Sequence, residues 1–582
     1  MAAAVLWLTL LVGPPLLVAL MLATDEPTRR LARALAPFAA VPALGLALAW
    51  PGDVVARLEP WLFQAVFGLD GVGRIFLLLT ASLWTIAAFY ARAYLAHDER
   101  RDRFHIFFML AMAGNLGLVG SFDLASFYLF FALMSFASFG LVIHDDTPAT
   151  HSAAKLYIAM AIVGEAMLLA GLMILALRLE PWDALHITPE VLDDGGGAIV
   201  WLLLAGFGVK VGVIFLHMWL PLAHPAAPTP ASAVLSGAMI KAGLLGWLRF
   251  MPASESLAIE ANAFIALGLA GAIYGVVVGL FQHNPKANLA YSSISQMGFM
   301  MIAVGVGLAQ PSLWPTAALV AALYALHHGL AKSALFLGVG VAQYGLATRV
   351  ARIGLFLGLT LAALSLAGAP LTSGYMAKTM LKYAGSDLPN AWSDYILWLL
   401  PVAAVGTTLL MGRFLWLIAS RMNETAGEHR PGLAGPWLLN LALVLALTWL
   451  VPLAWDLDLP EPAWLDFGAV WAGLWPAALG ALLVAWLIWK QWGPIYRREV
   501  PPGDVVVYVH RLADRLLAAW QRVVIPSFAA ANDAFFRWRN RRLLRLGRAM
   551  FAGELLILRW GAGGVLFLLL SLAMILAMWA WR

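Results

Sequence analysis

Apolar positions in this chain come in long unbroken runs rather than in the alternation of half-buried elements. Runs of about twenty residues are the length an α-helix needs to cross a hydrocarbon core. They recur near residues 3–22, 31–49, 71–95, 104–121, 123–143, 156–177, 198–221, 230–251, 262–282, 289–309, 314–341, 353–384, 393–419, 436–454, 467–489 and 560–581. Lipid offers no partner for a backbone N–H or C=O, so each run is expected to be a helix. The pattern predicts an all-α polytopic membrane protein with about sixteen transmembrane helices. The first run reaches from Ala2 to Met21 without a basic stretch before it. It reads as a retained span, not as a cleaved signal peptide.

Composition agrees. Of 582 residues, 62% are hydrophobic and 12% charged, and the mean hydropathy is +0.83. No water-soluble core could hide so much apolar side chain. A soluble enzyme and a disordered chain are therefore excluded. The net charge of +5 reflects basic loops facing an anionic leaflet rather than a nucleic-acid surface. The chain has no cysteine, so iron–sulfur clusters and thiolate metal sites are absent. No cofactor and no metal site are expected.

Loop charge orients the spans. Arg29, Arg30 and Arg33 follow the first, Arg100, Arg101 and Arg103 the third, Arg349 and Arg352 the eleventh, and Arg421 and Arg430 the thirteenth. Acidic loops follow the sixth (Glu180, Asp183, Glu190, Asp193, Asp194) and the fourteenth (Asp456, Asp458, Glu461, Asp466). Basic loops stay in the cytoplasm, which puts both termini on the outer side of a bacterial inner membrane. Asp145 and Asp146, after the fifth span, run against this pattern. Residues 490–559 are basic and amphipathic, interrupted by Pro501, Pro502 and Pro526. They read as a lateral segment along the cytoplasmic interface.

Several ionisable residues fall at membrane depth, where each costs ~2.5–3.5 kcal/mol or more and is kept for a reason. Lys210 lies among Gly206, Gly208 and Gly212, which permit unwinding and water entry. His217 is two helical turns further on and is expected on the same face, with Pro221 ending the helix. Lys241 lies among the small residues Ser236, Gly237, Ala238 and Gly243. Tyr324, His328 and Lys332 are spaced i, i+4, i+8, one stripe of proton-passing groups. His327 is expected to point elsewhere, as a relay group or a satisfied core histidine. Lys378 follows Gly368, Pro370 and Gly374, which interrupt a helix too long to cross straight. Glu165 is the mid-span acid able to balance one of these lysines.

Spans four to eight and nine to thirteen form two sets of five. An odd number per set inverts the second. The predicted organisation is N-terminal helices 1–103, a first inverted repeat 104–251, a second 262–419, additional helices 436–489, the lateral segment 490–559 and a final helix 560–582.

The segment GFGVKVGVIFLHMWLPLAHPAAPTPASAVLSGAMIKAG resembles the signature of the antiporter-like membrane subunits of respiratory complex I. That family also contains Mrp-type cation/proton antiporters and membrane-bound hydrogenases. NPKANLAYSSISQMGF, HHGLAKSALF and GAPLTSGYMAK match three further blocks in the family's order, so the likeness spans roughly residues 70–420. The tail is similar to that of the distal, long-tailed complex I subunit. The resemblance implies that Lys210, Lys241 and Lys378 line the proton path and that His328 and Lys332 connect its parts. The chain departs from the family at Leu133, where a fifth-helix glutamate is usual, at Tyr324 in place of a histidine, and at Leu222 in place of an acid. Glu165, one helix later, is the expected substitute for the missing acid.

The implied function is a proton-translocating subunit with no redox chemistry of its own, driven by partner membrane subunits of a complex I-like (NADH-quinone oxidoreductase) or hydrogenase-like assembly. An Mrp-type Na+/H+ antiporter subunit and an energising subunit of a bicarbonate-uptake complex are the alternatives. Protons, Na+ and the lipid bilayer are the expected partners, and nucleic acid is not.

Overall fold

The computed structural model describes residues 2–503 apart from 50–53, 59–64, 180, 189–190, 192–195, 252–256, 345–347, 389–390, 423–429, 456, 458–466, 493–494 and 496–499. Beyond 503 it describes Arg515, Leu569, Leu572 and Met574. The chain divides into two compact units, 1–504 and 505–582. All but three residues of the final span, and all but a few of the lateral segment, lie outside the described residues.

Among the described residues, twenty α-helices follow in order: α1 (Ala2–Leu11), α2 (Gly13–Leu22), α3 (Glu26–Leu35), α4 (Val41–Ala49), α5 (Gly71–Tyr94), α6 (Arg101–Gly120), α7 (Leu124–Val142), α8 (Pro148–Ala176), α9 (Gly196–Val211), α10 (Leu220–Ala226), α11 (Thr229–Val234), α12 (Lys241–Phe250), α13 (Ala258–Leu280), α14 (Pro285–Ala309), α15 (Trp314–Gln343), α16 (Arg349–Ala367), α17 (Ser373–Ser386), α18 (Trp392–Met422), α19 (Ala434–Ala454) and α20 (Phe467–Trp489). Among the described residues, 13 helices are long and apolar enough to cross a membrane, or 14 if α1 and α2, bent by 47°, count as one span. The number is below sixteen for two reasons. The predicted span 198–221 breaks after Val211, and all but three residues of the predicted span 560–581 lie outside the described residues.

Two short strands join the helices. β1 (Val54–Leu58) and β2 (Ala65–Leu69) pair antiparallel, Val54 opposite Leu69. The Asp123 carboxylate caps α7 at Ser126 N (2.7 Å) and also accepts from Val66 N (2.9 Å), and Arg57 pairs with Asp183 at 2.9 Å. Five-residue strands carry too few apolar positions to stand out beside runs of twenty, and the hydropathy reading passed over them.

Burial identifies the centre. In the most apolar stretch of the crossing 229–250, of α14 and of α15, 94% of the residues are buried, against 17% in that of α20. The middle of any internal path therefore lies along α11–α12, α14 and α15. Glycines set the helix spacing. A Cβ on Gly268 of α13 would lie 2.7 Å from the Gly298 carbonyl of α14, and one on Gly275 would lie 2.5 Å from the Tyr291 carbonyl. Gly268→Val is expected to wedge these helices apart and cost about 1–3 kcal/mol. A melting temperature in detergent several degrees below that of the unaltered protein would check it.

The misfit of Asp145 and Asp146 also has a structural reason. Their loop lies at the same end of the bundle as the basic loop before α6. Asp146 sits 2.7 Å from His151 and 3.3 Å from Arg100, and Asp98 sits 3.1 Å from His144. The His151 hydrogen bond and the Arg100 charge hold the Asp146 carboxyl below its usual range. The acids are thus neutralised locally by basic groups at the same end.

Candidate functional site

Among the described residues, two crossings are interrupted at a left-handed glycine, and their breaks have the same backbone. After α9, Gly212 takes φ +80°, and the N–H groups of Gly212 and Val213 both bond to the Gly208 carbonyl. After α16, Gly368 takes φ +84°, and the N–H groups of Gly368 and Ala369 both bond to the Leu364 carbonyl. Three residues past each glycine a bulky residue is also left-handed: Phe215 at φ 71° and Leu371 at φ 65°. Such a conformation is strained for a large side chain. Its recurrence at matching positions makes the two breaks structural counterparts. The helix restarts at Leu220 in the first case and at Ser373 in the second.

The first break corrects two expectations. Pro221 starts α10 rather than ending the preceding helix. His217 falls in the non-helical stretch, so it does not share a helical face with Lys210. Its ring packs edge-on against Tyr274, 5.0 Å between centroids, and against Tyr291. Trp219 folds back across the break and donates to the Val209 carbonyl at 2.7 Å.

Lys210, on the last turn of α9, faces Glu165 of α8. Gly164 and Gly206 bring these helices together: a Cβ on Gly206 would lie 2.7 Å from Leu168 N, and one on Gly164 would lie 2.9 Å from Val209 Cβ. Glu165 and Lys210 are both 5% exposed. They line one small cavity with Phe131, Ser135, Tyr157 and Trp219, with room for a single water molecule. The Lys210 ammonium donates to the Tyr157 hydroxyl (3.3 Å), which donates to the Ser135 carbonyl (2.8 Å). It also lies 5.6 Å from the ring centres of Phe131 and Tyr157, a cation–π distance. Glu165 Oε2 and Ser135 Oγ have no hydrogen-bond partner among the described residues. From α7, the residues reaching this cavity are Phe131 and Ser135, one turn apart. Leu133 does not line it, because two helical residues turn a side chain about 200° away.

Lys241 opens α12 directly after a π-helical turn, Leu235–Met239. Such a turn displaces carbonyls from the helical ladder, and the Lys241 ammonium takes the freed Ser236 carbonyl. A hydrogen-bonded line continues from there. Ser236 Oγ meets Ser293 Oγ at 2.8 Å, Ser293 Oγ donates to the Leu289 carbonyl at 3.1 Å, and Lys332 Nζ donates to the same carbonyl at 2.7 Å. Lys241 and Lys332 are thereby joined through two serines and two backbone carbonyls, those of Ser236 and Leu289.

Tyr324, His328 and Lys332 occupy successive turns of α15. Tyr324 donates to Gln296 Oε1 at 2.9 Å, and both ring nitrogens of His328 are buried without a partner among the described residues. His327 points to another side, toward the second break. Its Nδ1 lies 2.8 Å from Ser373 Oγ, which lies 2.8 Å from Ser365 Oγ. Lys378 reaches back across that break to the Ala367 carbonyl (2.8 Å) and lies 5.4 Å from the centre of the Phe299 ring. It also borders a cavity of about 320 Å³ with Tyr375, Thr379, Lys382 and Ser386.

Glu165 with Lys210, Lys241 with Lys332, and His327 with the Lys378 break thus form three adjacent groupings. The sequence reading missed Ser135, Tyr157, Ser293 and Gln296. They are short or neutral polar residues in apolar runs, and Tyr157, two turns before Glu165, gave the one usable signal.

Residues 121–409 match the family model described as NADH:quinone oxidoreductase/Mrp antiporter, TM. Antiporter subunit mnhA2 of Staphylococcus haemolyticus is 29% identical over 476 residues, 74% of this chain and 59% of that protein. Hydrogenase-4 component B of Escherichia coli K12 is 30% identical over 301 residues, 49% of this chain and 45% of its own. The solved Mrp complex from Dietzia sp. DQ12-45-1b superposes with a TM-score of 0.66 at 26% identity, covering 99% of this chain and 63% of that one. The chain therefore spans only about half the length of these two curated relatives. With its interrupted helices and buried lysines, this multi-pass membrane protein contains, over residues 121–409, the transmembrane region of the NADH:quinone oxidoreductase/Mrp antiporter family, and it is similar to the antiporter-like subunits of Mrp antiporters and membrane-bound hydrogenases.

Proposed function

We propose that the chain carries protons through the membrane along Glu165, Lys210, Lys241, His328, Lys332 and Lys378. The observation that carries this reading is the sharing of one water-sized, buried cavity by Glu165 and Lys210 at a helix break. Burial disfavours an ammonium and a nearby carboxylate favours it. A carboxylate that moves or takes up a proton thus makes the lysine a donor to the next group. Because its two ends are backbone carbonyls, which hold no proton to pass on, the serine line positions Lys241 and Lys332, and water carries the proton between them and on toward His327 and Ser373. The cavity beside Lys378 offers an outlet. Residues 104–251 and 262–419 act as two inverted repeats, a reading supported by the matching backbone of their breaks.

Partner membrane subunits supply the driving force, as the likeness to subunits of larger assemblies supports. Exchange of Na+ for H+ is the second reading. It is favoured by the likeness to an Mrp complex over 99% of this chain. The assembled complex in vesicles loaded with a pH dye tests both. Under an imposed potential it should shift the internal pH, and a complex without this chain should not. No proton movement would overturn the proposal, and flux only with Na+ present would favour exchange.

The arginine-rich loops support a bacterial inner membrane with both termini outside and residues 490–559 on the cytoplasmic face. Because no native cysteine interferes, a Ser527→Cys variant should react with an impermeant thiol reagent only from the cytoplasmic side. Labelling only from outside would reverse the orientation.

A further inference from the structure

One buried titratable ring has no part in the path just described. His224, on α10, is fully buried, and neither of its ring nitrogens has a hydrogen-bond partner among the described residues. Its ring stacks on Phe336, 4.6 Å between centroids. Phe336 is one turn beyond Lys332 on α15, toward the end of the bundle that carries Arg349 and Arg352. Lys286 lies at that same end, half-buried in the first turn of α14. Its ammonium donates to the Ala227 carbonyl at 2.8 Å, immediately past the helix that bears His224. Ser232 Oγ ties the same turn together, 3.0 Å from the His224 carbonyl and 3.2 Å from that of Ala227. Through Phe336 on one side and Ala227 on the other, the His224 ring is placed next to the neighbourhoods of Lys332 and Lys286. It thus lies between the central lysines and a half-buried one.

A ring needed only for stacking would be served by phenylalanine. Two polar nitrogens at a buried position call for partners, and water is the one small enough. An imidazole with water on both sides can accept a proton at one nitrogen and release one from the other. We propose that Lys286 and His224 form a second proton entrance, leading from the arginine-rich end of the bundle to Lys332 and separate from the Glu165–Lys210 cavity.

This entrance rests on the proton-carrying function proposed above, and its test separates the two. In the assembled complex in dye-loaded vesicles, His224→Phe keeps the stack and removes the titratable group. Proton flux should fall about tenfold or more, and Lys286→Met should act likewise. Because the two groups act in series, the double variant should be no slower than the slower single one. Wild-type flux in His224→Phe, or a double loss equal to the product of the two, would overturn the entrance. Should His224→Phe fail to assemble, His224→Ala with added imidazole reads the same step. Flux should then rise severalfold, and no rise would also overturn it. An unaltered complex that moves no protons would instead contradict the function itself.

Discussion

Lys210→Ala is expected to abolish proton flux, a loss of about a hundredfold or more, while the protein still inserts and assembles. Among the described residues the lysine's hydrogen bond is to the Tyr157 hydroxyl, and the Tyr157–Ser135 bond does not depend on it. An alanine at this depth also removes a charge that costs ~2.5–3.5 kcal/mol on insertion. The break after α9 should persist as well. It is fixed by Gly212 and by the bond from Trp219 to the Val209 carbonyl, neither of which uses the lysine side chain. The check is dye-reported flux alongside the yield of assembled complex. Loss of both would mark Lys210 as structural.

Glu165→Gln should impair flux nearly as much. The amide keeps the shape of the carboxyl and some hydrogen bonding but removes the charge that holds a proton on Lys210. The geometry also says where a replacement acid can sit. Ser135 lines the cavity, and its hydroxyl lacks a partner among the described residues. In the Glu165→Gln background, Ser135→Glu should recover part of the flux. Leu133→Glu, at the position where the family resemblance puts its acid, should not, because Leu133 lies off the cavity. Full activity of Glu165→Gln, or rescue from position 133 and not 135, would remove Glu165 as the partner of Lys210.

Much of the architecture was legible because lipid simplifies the code. A run of about twenty apolar residues has one structural solution, and each predicted span up to residue 489 contains helix. Glycine clusters likewise pointed to the broken helices near Lys210 and Lys378, since a left-handed turn needs them. Hydropathy fails where the chain leaves the helix. It took 198–221 as one span and so placed His217 on the face of Lys210, whereas Gly212 and Phe215 turn the chain away. The π-helical turn before Lys241 has no signal in apolar periodicity, because an extra residue per turn changes which carbonyl is free, not which side chains are apolar. The partners of the lysines were least legible. Ser236 and Leu289 act through carbonyls, which every residue possesses, and only the packing of α12, α14 and α15 selects them. The wrong helical face at Leu133 has a similar origin, since a shift of two residues reverses a face without altering composition.

Proton flux through a complex bearing Lys210→Arg tests the central claim most directly. Arginine keeps a positive charge opposite Glu165 but does not give up its proton at any pH a protein meets. If Lys210 works by releasing a proton, the variant assembles normally and its flux falls as low as that of Lys210→Ala. If Lys210→Arg moves protons at the rate of the unaltered complex, the site needs only a fixed charge, and the path through Lys210 is wrong.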